Sequence, residues 1–276
     1  GGNVTLADST VEHTGGTAVD VNQAGTPDQT PWTSPAPIPN LQGTANDGQV
    51  RTLTPGGNAV LGNTLFMFNN ANPTIQRLTI QDGGQDVASS SVNNRYGIGL
   101  SIGASSNPLV LGATFDNMTT RAVNMWGDSS GFLRDLVISN ISAIGAGGWL
   151  SAGIWVEDSV ALFDNVSIDR SDTGIWVQHI SETMSTRPTF WDATVTNSMY
   201  RGVMVEQSNR SNFNSPLNAI FENLEVRGSG GPGAKTPGLC YHAIGVNTSG
   251  IDLTDSRAID NACNGFKAYM IDSATI

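Results

Sequence analysis

Two tryptophans lie in closely similar, strand-like segments of the sequence. Gly153-Ile154-Trp155-Val156-Glu157 is followed by Gly174-Ile175-Trp176-Val177-Gln178, with alternating side-chain character in both. A period of two places each indole and the polar group two residues later on one face of a strand. Indole rings stack on pyranose rings, and carboxylates and amides hydrogen-bond to sugar hydroxyls. The pattern predicts a solvent-exposed, glycan-binding strip. The alternatives are tryptophans buried under a loop or at an interface with another chain.

Further polar and aromatic residues extend this strip. If similar segments stack as strands, outward side chains form columns that run across the strands. The first predicted column contains Gly99, Asn124, Trp155, Trp176, Met204, Gly245 and Lys267, and the second contains Ser101, Trp126, Glu157, Gln178, Glu206, Asn247 and Tyr269. The residues predicted to bind a glycan are Trp126, Trp155, Trp176, Met204, Gln178, Tyr269 and Lys267.

Two carboxylates of the second column have a spacing that could support hydrolysis. Glu157 and Glu206 are two strand spacings apart, about 9.6 Å at the backbone. Inverting glycosidases hold their two carboxyls about 6.5–9.5 Å apart around a water molecule. Asp158 and His179 follow this column on neighbouring strands and form a candidate acid–base pair. The alternative, which the sequence favours for catalysis, is that these four are solvated polar residues.

The strands that would carry these residues recur along the chain. The first set of segments covers residues 78–82, 113–117, 136–140, 166–170, 193–197, 224–228 and 257–261, and the second covers 97–100, 122–125, 153–156, 174–177, 202–205, 243–246 and 265–268. The first set recurs every 23 to 35 positions without a helical pattern, which indicates a solenoid with two strands per turn. Its central residues are expected to form one interior column: Ile80, Phe115, Ile138, Ile168, Val195, Val226 and Ile259.

These paired columns resemble the right-handed parallel β-helix of the pectin-lyase-like superfamily, an all-β solenoid. The resemblance covers residues 74–276 well and residues 1–73 poorly. It implies the handedness, in line with the general preference for right-handed crossovers. The Asn-Thr-Asp, Gly-His-Gly and Arg-Ile-Lys elements of polygalacturonases and the Trp-Ile-Asp-His element of pectate lyases are absent from the sequence. No active site can therefore be carried over from a specific enzyme family.

The residues that end the first set of segments support this fold. They are Asp82, Asn117, Asn140, Arg170, Asn197, Gly228 and Asn261. Asn, Asp and Gly adopt the left-handed backbone conformation that a sharp corner requires. We expect corners at these positions, a wider one at Arg170, and hydrogen bonds between stacked asparagines.

Composition limits the classes of partner. Charged residues make up only 13% of the chain and the net charge is −11. The negative charge argues against nucleic acid and anionic membranes, and against a highly anionic polysaccharide unless a cation mediates the contact. Two cysteines and three histidines provide no metal-ligand spacing, so no cofactor is expected, and Ca²⁺ has no ligand motif to support it.

The two cysteines are predicted to form a disulfide bond. Cys240 and Cys263 precede Ile244 and Phe266, which occupy equivalent places in successive strands. Neighbouring strands are about 4.8 Å apart, within the ~4.4–6.8 Å Cα separation of disulfides. A pair of stacked thiols is the alternative. A disulfide would indicate an oxidising compartment, as expected for an extracellular, cell-surface or virion-surface protein.

We expect one β-helix domain over residues 1–276, with irregular rungs and a proline-rich loop (22–48) in residues 1–73 and regular rungs over 74–276. Insertions at 84–95, 181–188, 207–217 and 228–239 would wall a groove. Neither end carries a recognisable cap, which leaves open that the chain is part of a longer protein or that its ends meet other copies. The first interpretation is a secreted or surface protein that binds, and in one version cleaves, a polysaccharide. The second is a non-catalytic structural or adhesive rod of a surface layer, filament or spike.

Overall fold

The chain folds into strands that belong to two parallel sheets. The computed structural model describes residues 5–7, 10–12, 19–22, 63–68, 70–81, 97–142, 151–181, 184–207, 217–234, 237–247, 250–269 and 273–275, and no helix occurs among them. The predicted loop at 22–48 beyond Asn22 and the predicted insertion at 84–95 lie outside the described residues.

Sheet A contains β1 (Thr5–Ala7), β2 (Thr10–Glu12), β5 (Thr74–Gln81), β7 (Leu109–Asp116), β9 (Phe132–Ile141), β11 (Leu162–Ser171), β13 (Thr189–Thr196), β15 (Asn218–Arg227), β17 (Gly250–Thr254), β18 (Arg257–Ile259) and β20 (Ser273–Thr275). Sheet B contains β3 (Val19–Asn22), β4 (Asn63–Phe68), β6 (Ile98–Ile102), β8 (Arg121–Met125), β10 (Ala152–Glu157), β12 (Thr173–His179), β14 (Arg201–Gln207), β16 (His242–Asn247) and β19 (Asn264–Tyr269). From β5 to β16 the chain alternates between the sheets at every strand, and each strand pairs in parallel with the strand one turn away. This is a parallel β-helix, and the predicted fold is confirmed.

The core is the space between the two sheets. Six of the seven residues predicted for the interior column of sheet A are buried in register: Ile80, Phe115, Ile138, Ile168, Val195 and Val226. On sheet B, the residues that alternate with the outward columns are all fully buried: Ile154, Val156, Ile175, Val177, Val203 and Val205. A Cβ added at Gly174 would lie 2.3 Å from the Val195 side chain, so glycine lets the sheets approach closely at this corner.

The prediction for Ile259 was wrong by one residue. Ala258, not Ile259, pairs with Val226, and Ile259 pairs with Arg227. The corner shifts with it, because Asp260 rather than Asn261 has a left-handed φ of 53°. Ile259 was the only large apolar residue in this last segment and therefore dominated the alignment. Gly99 was also misplaced: Ser101 pairs with Asn124. A slip of two residues preserves the alternation, so periodicity could not detect it.

The corner column has the predicted backbone but different hydrogen bonds. Positive φ values occur at Asn117 (56°), Asn140 (57°), Arg170 (55°), Asn197 (54°) and Gly228 (66°), so Arg170 adopts the same corner rather than a wider one. Asn140 donates to Asp116 Oδ1 at 2.7 Å and Asn197 donates to Asp169 Oδ1 at 2.8 Å. Asn140 and Asn197 therefore donate to an aspartate of the preceding turn, because a carboxylate is a strong acceptor.

A second column of left-handed residues lies within the sheet A strands and was missed. It contains Arg77, Gly112, Asp135, Asn165, Asp192, Asn223 and Asp255. Each of these residues bends its strand or the connection between two strands. A further column of interior side chains lies just before this bend. Phe163, Phe190 and Phe221 stack within that column, with centroid separations of 4.5 and 4.9 Å.

Candidate functional site on the outer face of sheet B

The outer face of sheet B carries three registered columns. Two of them are the predicted outward columns, and their register from Asn124 to Lys267 and from Glu157 to Tyr269 is confirmed. The third column lies at the start of the strands and was not recognised in the sequence; it contains Arg121, Ala152, Thr173, Arg201, His242 and Asn264. The face divides into a closed half on β8, β10 and β12 and an open half on β14, β16 and β19.

The closed half is a buried stack of tryptophans and an arginine. Trp155 and Trp176 are each only 3% exposed, so the prediction that they are accessible was wrong. Their ring centroids are 4.4 Å apart, and the guanidinium carbon of Arg121 lies 3.6 Å from the Trp155 centroid. Burial lowers the pKa of Arg121 to about 9, although the negative charge of Glu157 opposes the shift. The stacked guanidinium occupies the ring face that a sugar would need.

The closed half also buries polar atoms that have no hydrogen-bond partner within the described part of the chain. These atoms are Arg121 Nε, Trp155 Nε1 and Thr173 Oγ1. Arg121 does donate to the side-chain oxygen of Asn124, which is itself buried. The cation–π contact between Arg121 and Trp155 partly offsets the cost of burying the charge.

The open half surrounds a pocket over Gly245. The pocket has a volume of about 270 Å³ and is lined by Met204, His242, Gly245, Val246, Asn247 and Lys267. Gly245 occupies the place that tryptophan occupies at Trp155 and Trp176, and its missing side chain leaves room for the His242 imidazole. The His242 imidazole lies over this gap, because a Cβ added at Gly245 would be 2.2 Å from its Nε2. Two of the residues predicted to bind a glycan, Met204 and Lys267, therefore line one pocket.

The turn before β16 places an exposed aromatic ring at the edge of the open half. Tyr241 is 57% exposed and stacks on Tyr200 with a centroid separation of 5.8 Å. The guanidinium carbon of Arg201 lies 5.5 Å from the Tyr241 centroid and 5.1 Å from that of Trp176. Tyr241 was missed because it lies between the predicted insertion at 228–239 and the alternating segment at 243–246.

The predicted disulfide fixes this turn. Cys240 and Cys263 are bonded, with a Cα–Cα distance of 5.3 Å. Cys240 immediately precedes Tyr241, so the bond ties the ring and the adjacent His242 to the next turn of the coil. The predicted pairing is confirmed.

His242 is held in its neutral form by its surroundings. Burial, with the positive charges of Arg201 and Lys267, lowers the pKa of His242 to about 4. Neutral imidazole presents one donor and one acceptor nitrogen. Its Nε2 has no hydrogen-bond partner among the described residues.

The two candidate carboxylates have different surroundings. Glu157 and Glu206 lie in one column with Gln178 between them. Glu206 Oε1 accepts hydrogen bonds from Trp176 Nε1 at 2.9 Å and from Gln178 Nε2 at 3.4 Å. Burial raises the pKa of Glu206, although the Trp176 hydrogen bond and the Arg201 charge oppose the shift.

Asp158 and His179 form the predicted contact, but the pair is enclosed. His179 Nδ1 lies 3.0 Å from Asp158 Oδ1, and the His179 side chain is fully buried. Asp158 also accepts hydrogen bonds from the backbone N–H groups of Ile180 and Ser181 at 2.9 and 3.0 Å. Burial would raise the pKa of Asp158, but the hydrogen bonds with His179, Ser181 and Ile180 outweigh it and lower the pKa. The pair anchors the turn that follows β12.

The other predicted residues fall at the margins. The half-buried Trp126 donates to Ser101 Oγ at 3.3 Å, and its ring lies over Gly103. Tyr269 pairs with Asn247, and its side chain lies outside the described residues.

No group of three or more metal-ligating side chains occurs in the described ranges. Within the same ranges, no helix has the length and apolar character to cross a membrane.

Comparisons with known proteins do not identify the function of this chain. No family model and no curated protein matches the sequence. A solved structure, the catalytic domain of a GH87 alpha-1,3-glucanase in complex with tetrasaccharides, is similar to 78% of this chain with 10% sequence identity and a TM-score of 0.47. The matched region spans 49% of that glucanase chain. A TM-score below 0.5 does not establish a shared fold, so the function proposed below rests on this chain's own residues.

Proposed function

We propose that the protein binds a polysaccharide along the outer face of sheet B, with one sugar unit in the pocket over Gly245. The observation that carries the proposal is the open half itself, where a pocket of about 270 Å³ has apolar and polar walls beside an exposed tyrosine. Small-molecule pockets span about 300–1,000 Å³, so this one suits a single sugar ring. Met204 would contact the C–H face of the ring, and Asn247 and His242 would hydrogen-bond to its hydroxyls.

Tyr241 would provide the aromatic platform instead of the two tryptophans. It is the exposed ring next to the pocket, and its stacking on Tyr200 and Arg201 fixes its orientation. A ring fixed before binding loses little conformational entropy when a sugar stacks on it. The disulfide, which suits an oxidising compartment, supports a secreted or surface location.

A glycan array followed by titration of the best ligand tests the proposal. Tyr241→Ala removes the platform, and Gly245→Leu displaces the His242 imidazole from its place over Gly245. Each should weaken binding at least tenfold. Trp191→Ala is the matched control, because Trp191 is a 40% exposed aromatic residue on sheet A. If no glycan binds and sedimentation shows self-assembly into rods, the structural or adhesive alternative is correct.

Hydrolysis of the bound chain is a second candidate, favoured by the surroundings of Glu206. A carboxyl with a raised pKa retains its proton closer to neutral pH, as a general acid requires. Glu157, two strands away in the same column, would act as the base that activates water. On the glycan identified by the array, Glu206→Gln and Glu157→Gln should abolish reducing-end release, whereas the exposed Glu222→Gln on sheet A should not. If the wild-type protein releases no reducing ends, the hydrolysis proposal is wrong and only the binding proposal stands.

A further inference from the structure

Trp176 lies at the boundary between the closed half and the open half. Its indole ring is only 3% exposed, and its ring centroid lies 4.4 Å from that of Trp155 on the closed side. On the open side, the guanidinium carbon of Arg201 lies 5.1 Å from the Trp176 centroid, within the range of cation–π contacts. A ring buried in this place cannot stack on a sugar, but it can hold the side chains around it.

The ring of Trp176 reaches the Tyr241 platform through Arg201. The guanidinium carbon of Arg201 is also 5.5 Å from the Tyr241 centroid, so one guanidinium contacts both rings. An unrestrained arginine samples many rotamers, and ordering it costs conformational entropy. A buried ring on one side of the guanidinium removes part of that freedom. The position of Tyr241 therefore depends on Trp176 through Arg201.

The indole nitrogen of Trp176 holds a second group beside the pocket. Trp176 Nε1 donates to Glu206 Oε1 at 2.9 Å, and this hydrogen bond opposes the rise in the pKa of Glu206 that burial causes. Glu206 pairs in register with Asn247, which lines the pocket. Trp155 differs, because its Nε1 is buried without a hydrogen-bond partner among the described residues. Two equally buried tryptophans thus differ in whether they bind a carboxyl next to the pocket.

We propose that Trp176 is a positioning residue for the glycan site, an inference that rests on the proposed function. Its ring would hold Tyr241 through Arg201, and its indole N–H would hold the Glu206 carboxyl beside the pocket. Because both groups are placed before the glycan arrives, less conformational entropy is lost on binding. Trp155, one strand further from the pocket, packs the closed half and has no such role.

Substitution by phenylalanine separates the indole N–H from the ring. Trp176→Phe retains an aromatic surface next to Arg201 and removes the donor to Glu206. Trp155→Phe is the matched control, because both substitutions remove the same atoms from the closed half. The pKa of Glu206, followed by carbon-13 NMR titration of the full chain, should rise in Trp176→Phe, because the lost hydrogen bond favours the charged carboxylate. It should stay unchanged in Trp155→Phe.

Binding of the glycan identified by the array tests the role itself. Trp176→Phe should weaken binding at least threefold, whereas Trp155→Phe should change it less than 1.5-fold. Trp176→Leu, which also removes the ring, should weaken binding at least tenfold. In a Tyr241→Ala background, Trp176→Leu should add no more than Trp176→Phe adds, because the platform that the ring positions is gone.

Each contrary outcome identifies what fails. If Trp155→Phe and Trp176→Phe change the pKa of Glu206 and the glycan affinity equally, Trp176 acts only through packing and the inference is wrong. An unchanged affinity in Trp176→Phe would overturn it as well, and the proposed glycan binding would stand. Failure of the wild-type protein to bind any glycan would overturn the proposed function itself, and the Glu206 titration, which needs no glycan, would still report whether Trp176 holds that carboxyl.

Discussion

The closed and open halves of sheet B's outer face follow one backbone pattern and differ in what occupies equivalent positions. In the closed half, Trp155 and Trp176 fill the central column and Arg121 covers the first ring. In the open half, the same column contains Gly245 and Lys267, and a pocket forms. A rung of this β-helix therefore presents either a closed packing surface or an open pocket, depending on its outward side chains and without a change in register.

The largest expected effect is the loss of a closed-half tryptophan. Trp155→Ala should lower the free energy of unfolding by about 3–5 kcal/mol, because a buried ring leaves a cavity and its Arg121 partner loses the cation–π contact. Denaturant unfolding measures the change. Trp191→Ala, at a 40% exposed ring, should cost about 1 kcal/mol or less. If the two substitutions lowered the free energy of unfolding equally, the tryptophans of the closed half would not be buried.

The disulfide should stabilise the protein mainly by restricting the unfolded chain. Cys240 and Cys263 are 23 residues apart, and closing a loop of this size contributes about 3 kcal/mol by restricting the unfolded chain. The Cys240→Ser, Cys263→Ser double variant should lose about that much free energy of unfolding. It should also weaken glycan binding, because Tyr241 and His242 are no longer tied to the next turn. Loss of stability with unchanged binding would mean that the bond does not position the site.

Acid should destabilise the open half through His242. The folded protein holds the pKa of His242 at about 4, against 6.5 when unfolded, so the unfolded state binds more protons between these values. The His242 contribution should therefore fall as the pH decreases from about 6.5 to 4, by at most about 3 kcal/mol. The difference between wild type and His242→Gln, measured by denaturant unfolding across this range, isolates that contribution. A pH-independent difference would contradict the burial of His242.

The smallest expected effect on stability is at Tyr241. Because the ring is 57% exposed, Tyr241→Ala should change the free energy of unfolding by under about 1 kcal/mol. Tyr241→Phe retains the stacking surface and should preserve both stability and glycan binding. A large loss of stability in Tyr241→Ala would show that this ring is buried, as the tryptophans of the closed half are.

The sequence predicted the fold because alternation and left-handed corner residues are local signals that repeat. It could predict the register of Trp155 with Trp176 and the pairing of Cys240 with Cys263 for the same reason. It could not predict the burial of the tryptophans, because a period of two identifies a face of a strand but not what covers that face. Arg121, the nearby group that stacks on Trp155, begins a strand where the alternation is not yet established.

The pocket was not predicted from the sequence either, although one residue gave a weak signal for it. Gly245 was placed in the correct outward column, and a glycine among bulky residues marks a gap. The pocket is also bordered by His242, at the start of β16 and next to a turn fixed by the disulfide, and these are features of the strand ends. Site residues at such ends fall outside any periodic pattern, so alignment of the repeats alone does not identify them.

The two left-handed columns of sheet A are separated by a constant five residues, at Gly112 and Asn117, Asp135 and Asn140, Asn165 and Arg170, Asp192 and Asn197, Asn223 and Gly228, and Asp255 and Asp260. This spacing sets the length of one segment in each of these six described turns. One residue added inside it would reverse the facing of the side chains that follow, whereas the turns between the sheets already differ widely in length. New recognition loops can therefore be grafted at the turns, and the coil serves as a modular scaffold whose length and binding surfaces are varied independently.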